Sequence, residues 1–387
     1  MEYLFWLSIF LVFHTYILYP LILLITAIFH KPNQIIYLKN EDTPSVSVIM
    51  SVYNEEKVII QKLVSLLNSD YPKDRFEICV GSDNSSDNTN DILKEFTTNN
   101  SNIKPTYYEV RQGKANIINQ LAEKANGEIL ILTDANVYFT KDTVYKLIKH
   151  FKNQEIDIVG GNILNTNIKN DGISFQEKTY LVNENKIKYH EGIIWGSMMG
   201  AFGGCYAIRK NKYSPVPKNY FMDDFYITMH VLSSGGKAIN ELDAICYEDV
   251  SNIIYEEFRR KIRISIGNFQ NLSSYKKLLW PPYKGIGFSF LSHKVLRWFT
   301  PIFIIIALIC NFLLVNKSVF YQILLLIQII LMVCPVIDTL LKKINIHNKI
   351  LRFITHFYLM NLTLLTGLFL FLKGPSSNIW QPTKRNQ

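Results

Sequence analysis

The sequence predicts an α/β domain with transmembrane helices at both ends. Long apolar runs are confined to the two ends of the 387 residues, and each reaches the roughly 20 residues that a helix needs to cross a bilayer. Between them, strand-like and helix-like patterns alternate, which favours parallel strands joined by helices. This middle part is long enough to bury a core of its own.

The first apolar run extends from Tyr3 to Phe29. No basic residue precedes it and no small-residue cleavage site follows it, which disfavours a cleaved signal peptide. We therefore expect residues 1–30 to form an uncleaved transmembrane anchor.

Residues 44–250 are expected to form the α/β domain. Strand patterns occur at 46–52, 76–80, 129–133 and 156–160, and helical patterns at 54–67, 115–124 and 143–151. Ligands of such sheets bind outside the carboxyl ends of the strands, so polar loops that follow strands should converge on one crevice. Three loops fit this description: Asn54-Glu55, Asp83 to Asp87, and Asp134-Ala135-Asn136.

The C-terminal part contains a basic segment and three apolar runs. Residues 251–294 combine apolar residues at helical spacing with many cations, which fits either amphipathic helices at the membrane surface or a solvated basic face. Residues 295–373 form the predicted C-terminal transmembrane region, and 374–387 a tail. The runs are Val295 to Val315, Val319 to Leu341 and Leu351 to Leu372. The last contains His356 and Asn361, so it either spans the membrane or is tilted or re-entrant.

The formal net charge of +9 does not indicate nucleic-acid binding, because the basic residues form no Lys/Arg tail. Many of them flank the apolar runs, as in Lys31, Lys39, Lys342 and Lys343, which is typical of cytoplasmic loops. We expect a multi-pass protein of the inner (plasma) membrane with a cytoplasmic α/β domain. The five cysteines have no metal-ligand spacing, so packed, reduced thiols are expected.

Three groups of residues have the chemistry of a site that binds a diphosphate. Asp134 and Asn136 supply oxygen ligands suited to Mg²⁺ or Mn²⁺, although such a triplet also caps helices. Asp223 and Asp224 are either helix caps or the source of a general base. Cations that can bind a diphosphate are Lys114, Arg259, Arg260, Lys261 and Arg263.

These segments, in this order, resemble glycosyltransferase family 2, in particular the membrane-anchored branch that includes cellulose, hyaluronan and poly-N-acetylglucosamine synthases. The similar segments are Ser45 to Glu56, Gly81 to Thr89, Arg111 to Asn119, Asp134 to Asn136, Gly200 to Arg209, and Asp223-Asp224.

The resemblance implies a GT-A fold and an inverting single displacement in which Asp224 is the catalytic base. It implies that Mg²⁺ or Mn²⁺ is held by Asp134 and Asn136, and that Gly203, Gly204 and Asp223 bind the acceptor. The donor-binding residues that it implies are Tyr53, Glu55, Asp83, Lys114, Asp134, Arg260 and Arg263.

Three segments depart from the family pattern. Asn136 replaces a second aspartate, and Ile264 replaces a tryptophan that would stack on the acceptor sugar in processive enzymes. Trp380 to Arg385 resembles a segment that in hyaluronan synthases reaches back to the active site, but three full C-terminal crossings would leave it on the opposite face.

The expected function is transfer of a sugar from a UDP-sugar to a growing polysaccharide. One alternative is a single addition to a lipid-linked or glycan acceptor, which Ile264 favours. Another is a catalytically silent subunit of a polysaccharide export complex, which Asn136 suggests. Expected partners are the donor, the acceptor, membrane lipids, and export or synthase proteins.

Overall fold

A computed structural model of the chain describes residues 1–168, 173–249 and 254–374. These residues divide into two compact units. The sheet unit groups the described residues of 26–167 and 181–250, and the helical unit groups those of 1–25, 168–180 and 251–375. The similarity of Trp380 to Arg385 to a hyaluronan synthase segment concerns residues outside the described ranges.

The sheet unit is built on one eight-stranded sheet with the order β3-β2-β1-β4-β7-β6-β8-β5. The strands are β1 (Val46–Val52), β2 (Phe76–Asp83), β3 (Ile103–Tyr108), β4 (Ile129–Thr133), β5 (Val137–Phe139), β6 (Ile156–Thr166), β7 (Cys205–Arg209) and β8 (Lys237–Asp249).

The first half of the sheet is parallel, as predicted. β1 pairs in parallel with β2 and β4, and β2 with β3. Strands covered on both faces require apolar residues at successive positions, and every residue of β4 is buried. The loops that follow β1, β2 and β4 therefore emerge at the same edge.

The second half of the sheet is mixed. β7 runs antiparallel to both β4 and β6, and β5 runs antiparallel to β8. β6 pairs in parallel with β8 and, since β4 and β6 are both antiparallel to β7, β6 runs in the same direction as β4. The four predicted strands are therefore all parallel, and only β5 and β7, which were not predicted, reverse direction. Strand direction depends on where the connecting segments return, which residue patterns do not show.

Helices alternate with the strands of this sheet along the chain. They are α2 (Ile59–Leu67), α3 (Thr89–Asn99), α4 (Lys114–Lys124), α5 (Thr143–Ile148) and α7 (Asp223–Ser233); α6 (Ser174–Trp195) contributes residues to both units. In α2, the buried residues Ile59, Leu63 and Leu66 are spaced by four and three residues, as expected for one helical face. The helix predicted from Asn54 begins at Ile59, after a turn.

The helical unit contains α1 (Glu2–Ala27), α8 (Ile254–Tyr275), α9 (Gly285–Leu314), α10 (Val319–Lys343) and α11 (Lys349–Lys373). Among the described residues, four helices are long and apolar enough to cross a membrane: α1, α9, α10 and α11. The predicted helix in the basic segment is α8. α9 begins ten residues before the predicted run, because helical structure continues through the polar residues His293 and Lys294. All five cysteines are free and buried.

Candidate active site

Two of the predicted polar loops are tied together at the carboxyl edge of the sheet. The Glu55 backbone N–H donates to Thr89 Oγ1 at 2.9 Å, and the Glu56 N–H donates to Asp87 Oδ2 at 3.1 Å. Asp83, the last residue of β2, accepts hydrogen bonds from the backbone N–H groups of Gln112 at 2.6 Å and Gly113 at 2.9 Å. Asp83 therefore orients the segment that leads into α4.

Gly113 permits the sharp change of backbone direction between Gln112 and the start of α4. Its φ of 85° and ψ of 153° lie in a region that is essentially restricted to glycine, and the next residue, Lys114, begins α4. Beside this turn, the Arg111 guanidinium lies 3.5 Å from the centre of the Tyr53 ring. The stacked pair is a cation–π contact that fixes the predicted donor residue Tyr53.

Lys114 joins acidic side chains from two other elements. Its Nζ lies 2.8 Å from Asp134 Oδ1, just after β4, and 3.4 Å from Asp223 Oδ2, at the start of α7. Burial alone would lower the pKa of Lys114, but attraction to Asp134 and Asp223 outweighs burial and raises that pKa. The ammonium group is therefore charged at neutral pH.

Asp224 is held by two backbone donors. The Gly203 N–H donates to Asp224 Oδ2 at 2.8 Å, and the Phe225 N–H donates to Oδ1 at 2.7 Å. Burial and then repulsion by Asp223 raise the pKa of Asp224 to about 6, with Lys114 acting in the opposite direction. A carboxylate with this pKa is ionised at pH 7 and is a stronger base than an ordinary aspartate.

The two glycines predicted to bind the acceptor lie against this site and the sheet. A Cβ atom on Gly203 would lie 3.0 Å from Asp224 Oδ2, and one on Gly204 would lie 2.7 Å from Val137 Cγ2. The lack of a side chain therefore permits the backbone of Gly203 to approach Asp224. Acceptor binding by these glycines stays a prediction.

The Asp134 carboxylate is suited to hold a divalent cation whose other ligands come from a diphosphate and water. The Asp134 side chain is 36% exposed, whereas Asn136 is buried and donates from Nδ2 to Glu248 Oε1 at 3.0 Å. The described residues contain no group of three or more His, Cys, Asp or Glu side chains arranged around a metal. Mg²⁺ sites commonly use one or two carboxylates and take their other ligands from phosphates and water, so Asp134 meets this requirement.

Lys62 is a residue of this region that sequence reasoning missed. It is fully buried in α2 and donates from Nζ to Thr133 Oγ1 at 2.7 Å and to the Val137 carbonyl. These two partners lie on either side of Asp134 to Asn136, so Lys62 ties together both ends of the turn. Burial lowers the pKa of Lys62 to about 7. The available signal was a lysine on the apolar face of an amphipathic helix.

Two predicted donor-binding residues, Arg260 and Arg263, lie on α8 in the helical unit. Arg260 forms a two-nitrogen contact with Glu257 Oε2, at 3.0 Å from Nε and 2.8 Å from Nη2. Donor binding by Arg260 and Arg263 stays a prediction. The predicted residues Lys114, Asp134, Asp223 and Asp224 form one cluster in the sheet unit.

Comparisons with known proteins agree with this geometry. A family model described as glycosyl transferase family 2 matches residues 47–215. A probable glycosyltransferase YdaM of Bacillus subtilis (strain 168) is 38% identical over 118 residues, which cover 30% of this chain and 28% of that protein. A poly-beta-1,6-N-acetyl-D-glucosamine synthase of Staphylococcus epidermidis is 34% identical over 136 residues, which cover 34% of this chain and 32% of that protein.

The matched region thus spans about a third of the length of these curated relatives. Among solved structures, a mannosyltransferase from Pyrobaculum calidifontis, in complex with GDP-Man and Mn²⁺, aligns with a TM-score of 0.72 and 20% identity over 96% of this chain and 100% of that chain. This likeness confirms the predicted GT-A fold. The domain at residues 47–215 thus matches glycosyltransferase family 2.

Proposed function

We propose that this protein is an inverting glycosyltransferase that moves a sugar from a UDP-sugar to a growing polysaccharide at the cytoplasmic face of the plasma membrane. The observation that supports it best is the cluster in which the Lys114 ammonium pairs with Asp134 and Asp223, next to an Asp224 carboxylate of raised pKa. The name of the Staphylococcus epidermidis relative supports a polysaccharide product.

The chemistry follows from the positions of these groups. Asp224 accepts the proton of an acceptor hydroxyl, whose oxygen then attacks the anomeric carbon of the donor sugar. The bond between that carbon and the diphosphate oxygen breaks, and the nucleotide diphosphate leaves with both electrons. Lys114 stabilises the added negative charge. A divalent cation bound at Asp134 would supply further charge stabilisation to the diphosphate.

A single addition to a lipid-linked or glycan acceptor is the second candidate. Ile264 in α8 stands where processive synthases of the family carry a tryptophan. An isoleucine offers no aromatic face on which a sugar ring could stack. Product length separates the two candidates.

The proposal is tested with purified protein, a panel of donors and either Mg²⁺ or Mn²⁺. The panel includes several UDP-sugars and GDP-mannose, since the Pyrobaculum calidifontis structure contains GDP-Man. Nucleotide release and product mass are measured together. Release of UDP with sugar transfer is expected; turnover of GDP-mannose alone would overturn the UDP assignment, and absence of donor binding would overturn the enzyme proposal.

The rate of transfer should depend on pH through Asp224. Because the base must be ionised, kcat/KM should fall about tenfold per pH unit below the pKa of about 6 and should be level at neutral pH. Replacement Asp223→Asn removes the repulsion that raises this pKa, so the acidic limb should move to lower pH. A rate that is constant down to pH 5 would contradict the role of Asp224.

Replacement Asn136→Asp tests whether this turn contacts the cation. The new carboxylate would face Glu248 Oε1, which Asn136 Nδ2 contacts at 3.0 Å, so loss of the hydrogen bond and repulsion should lower stability by about 1–3 kcal/mol in EDTA. Added charge should make Mn²⁺ raise the melting temperature more in this variant than in the wild type. The control is Asn40→Asp, at an exposed position. Equal Mn²⁺ shifts in all three proteins would place residue 136 away from the cation.

A further inference from the structure

One face of the helical unit is marked by contacts between the ends of three apolar helices. The Glu2 carboxylate, at the start of α1, accepts a hydrogen bond from the Tyr321 hydroxyl at 2.6 Å and pairs with Lys317. Lys317 lies in the turn between α9 and α10, and Tyr321 lies in the first turn of α10. These ends of α1, α9 and α10 therefore lie at one level, which we call the Glu2 face.

Distances from the Glu2 face can be followed along these three helices, because an α-helix rises about 1.5 Å per residue. Tyr16 in α1, Phe299 in α9 and Asp338 in α10 lie roughly 21, 22 and 28 Å from it. The guanidinium of Arg297, two residues before Phe299 in the chain, lies 5.5 Å from the centre of the Tyr16 ring. A charged group thus lies roughly 21 Å from the Glu2 face. The hydrocarbon core of a bilayer is usually about 30 Å thick.

Helix α11 contacts Asp338 and Tyr16 directly and reaches Phe299 through Phe269 of α8. Near its start, Arg352 Nε lies 2.9 Å from Asp338 Oδ2. One turn later the rings of Phe357 and Tyr16 are 5.5 Å apart. Near its end, the ring of Phe371 lies 6.1 Å from that of Phe269, which lies 5.7 Å from the ring of Phe299.

These contacts decide between crossing the membrane and lying along its surface. The helix from Arg352 to Phe371 is about 28 Å long, so a helix along the membrane normal would bring Phe371 to the Glu2 face. Asp338, which the start of α11 contacts, and Phe299, which Phe371 reaches through the ring of Phe269, differ in level by only about 6 Å. The axis of α11 is therefore close to the membrane plane.

The polar side of α11 faces groups that are costly to place in hydrocarbon. His356 Nε2 lies 2.8 Å from Glu177 Oε1, and Lys261 Nζ lies 2.8 Å from Glu177 Oε2. Further along, Ser265 of α8 donates to the Leu364 carbonyl at 3.1 Å, and a Cβ atom on Gly367 would lie 2.2 Å from Ser265 Oγ. α11 thus packs closely along α8, a charged helix that is not among the four candidate spans. Charges at the interface cost far less than charges at the bilayer centre.

We propose that α11 lies in the membrane interface opposite the Glu2 face, so that the chain crosses the bilayer three times and the end of α11 emerges on that opposite side. Its partner is the lipid layer, into whose acyl chains its exposed apolar side chains insert. These side chains are Ile350, Phe353, Leu362, Phe369, Leu370 and Leu372. The inference is independent of sugar transfer, and its tests do not require activity.

Sidedness is tested by single cysteines and a membrane-impermeant maleimide in sealed vesicles of known orientation. Lys373→Cys reports the end of α11, Asn316→Cys the Glu2 face, and His347→Cys the opposite face; all three positions are exposed. The five native cysteines are buried, so the wild type gives the background. Position 373 should react from the same side as position 347. Reaction from the side of position 316 would overturn the proposal.

Depth is tested by spin labels at pairs of exposed positions. Ile350→Cys and Phe369→Cys lie near the ends of α11, and Ile323→Cys and Leu340→Cys are the matched pair in the spanning helix α10. Depths from oxygen and nickel-chelate accessibility should differ by about 26 Å in α10 and by less than about 8 Å in α11. A difference in α11 as large as that in α10 would show that it crosses the membrane.

Discussion

Replacement Asp224→Asn should reduce the rate of sugar transfer by roughly 10²- to 10⁴-fold while leaving donor affinity nearly unchanged. An amide cannot take the proton of the acceptor hydroxyl, whereas the groups predicted to hold the diphosphate, Lys114 and Asp134, are retained. The rate is measured as nucleotide release at saturating donor, and affinity as the Kd of the donor by calorimetry.

The variant also changes a pair of hydrogen bonds. The Gly203 and Phe225 N–H groups each donate to one oxygen of Asp224, and an asparagine can accept only one of the two. A stability loss of about 1–3 kcal/mol is therefore expected, and thermal unfolding shows whether the protein remains folded at the assay temperature. Asp91→Asn, at an exposed acid in α3, is the matched control. Transfer at the wild-type rate in folded Asp224→Asn would exclude it as the base.

Replacement Lys114→Met should weaken donor binding about 30-fold or more, because about 2 kcal/mol or more is lost when one partner of a partly buried charge cluster is removed. The diphosphate would lose its cation, and Asp134 and Asp223 would lose the ammonium that pairs with both. Donor Kd is measured with Mn²⁺ present. Loss of the opposite charge should also raise the pKa of Asp224, so the residual rate should need a higher pH.

The control for this variant is Lys94→Met, which removes a lysine whose ion pair with Asp91 is exposed. Exposed pairs contribute at most about 1 kcal/mol, so donor affinity should be unchanged. Lys114→Arg retains the charge with a different shape and should lie between the wild type and Lys114→Met. A Lys114→Met protein that binds donor as tightly as the wild type would remove Lys114 from the donor site.

Much of the site could be predicted because its residues follow strands of a parallel sheet. The end of β2 carries Asp83 and the end of β4 leads to Asp134, and parallel pairing of both strands with β1 brings them to one edge. Periodicity predicted each strand separately. The rule that ligands bind outside the carboxyl ends of parallel strands then predicted that the loops after these strands converge on one site. Similarity to the family then supplied the order of the remaining segments.

The contacts of Lys62 and Asn136 could not be predicted from local patterns. Lys62 lies in α2 and bonds to residues about 70 positions later, and Asn136 bonds to Glu248 on β8. Both contacts depend on pairings between distant parts of the chain. A local motif predicts which atoms a turn exposes only if no distant partner binds them first.

The sequence by itself determined the α/β domain, the apolar helices at both ends and the acidic and basic residues of the site, because periodicity and charge are local properties of the chain. Only the tertiary structure decided that Lys114 pairs with Asp134 and Asp223 and that Gly203 and Phe225 orient Asp224. It also decided that the start of α11 contacts Asp338 and that its end packs on Phe269 of α8. Length and composition allow α11 to cross a bilayer, and they carry no information about its direction. That direction follows from contacts with α1, α8 and α10, which only the folded chain brings together.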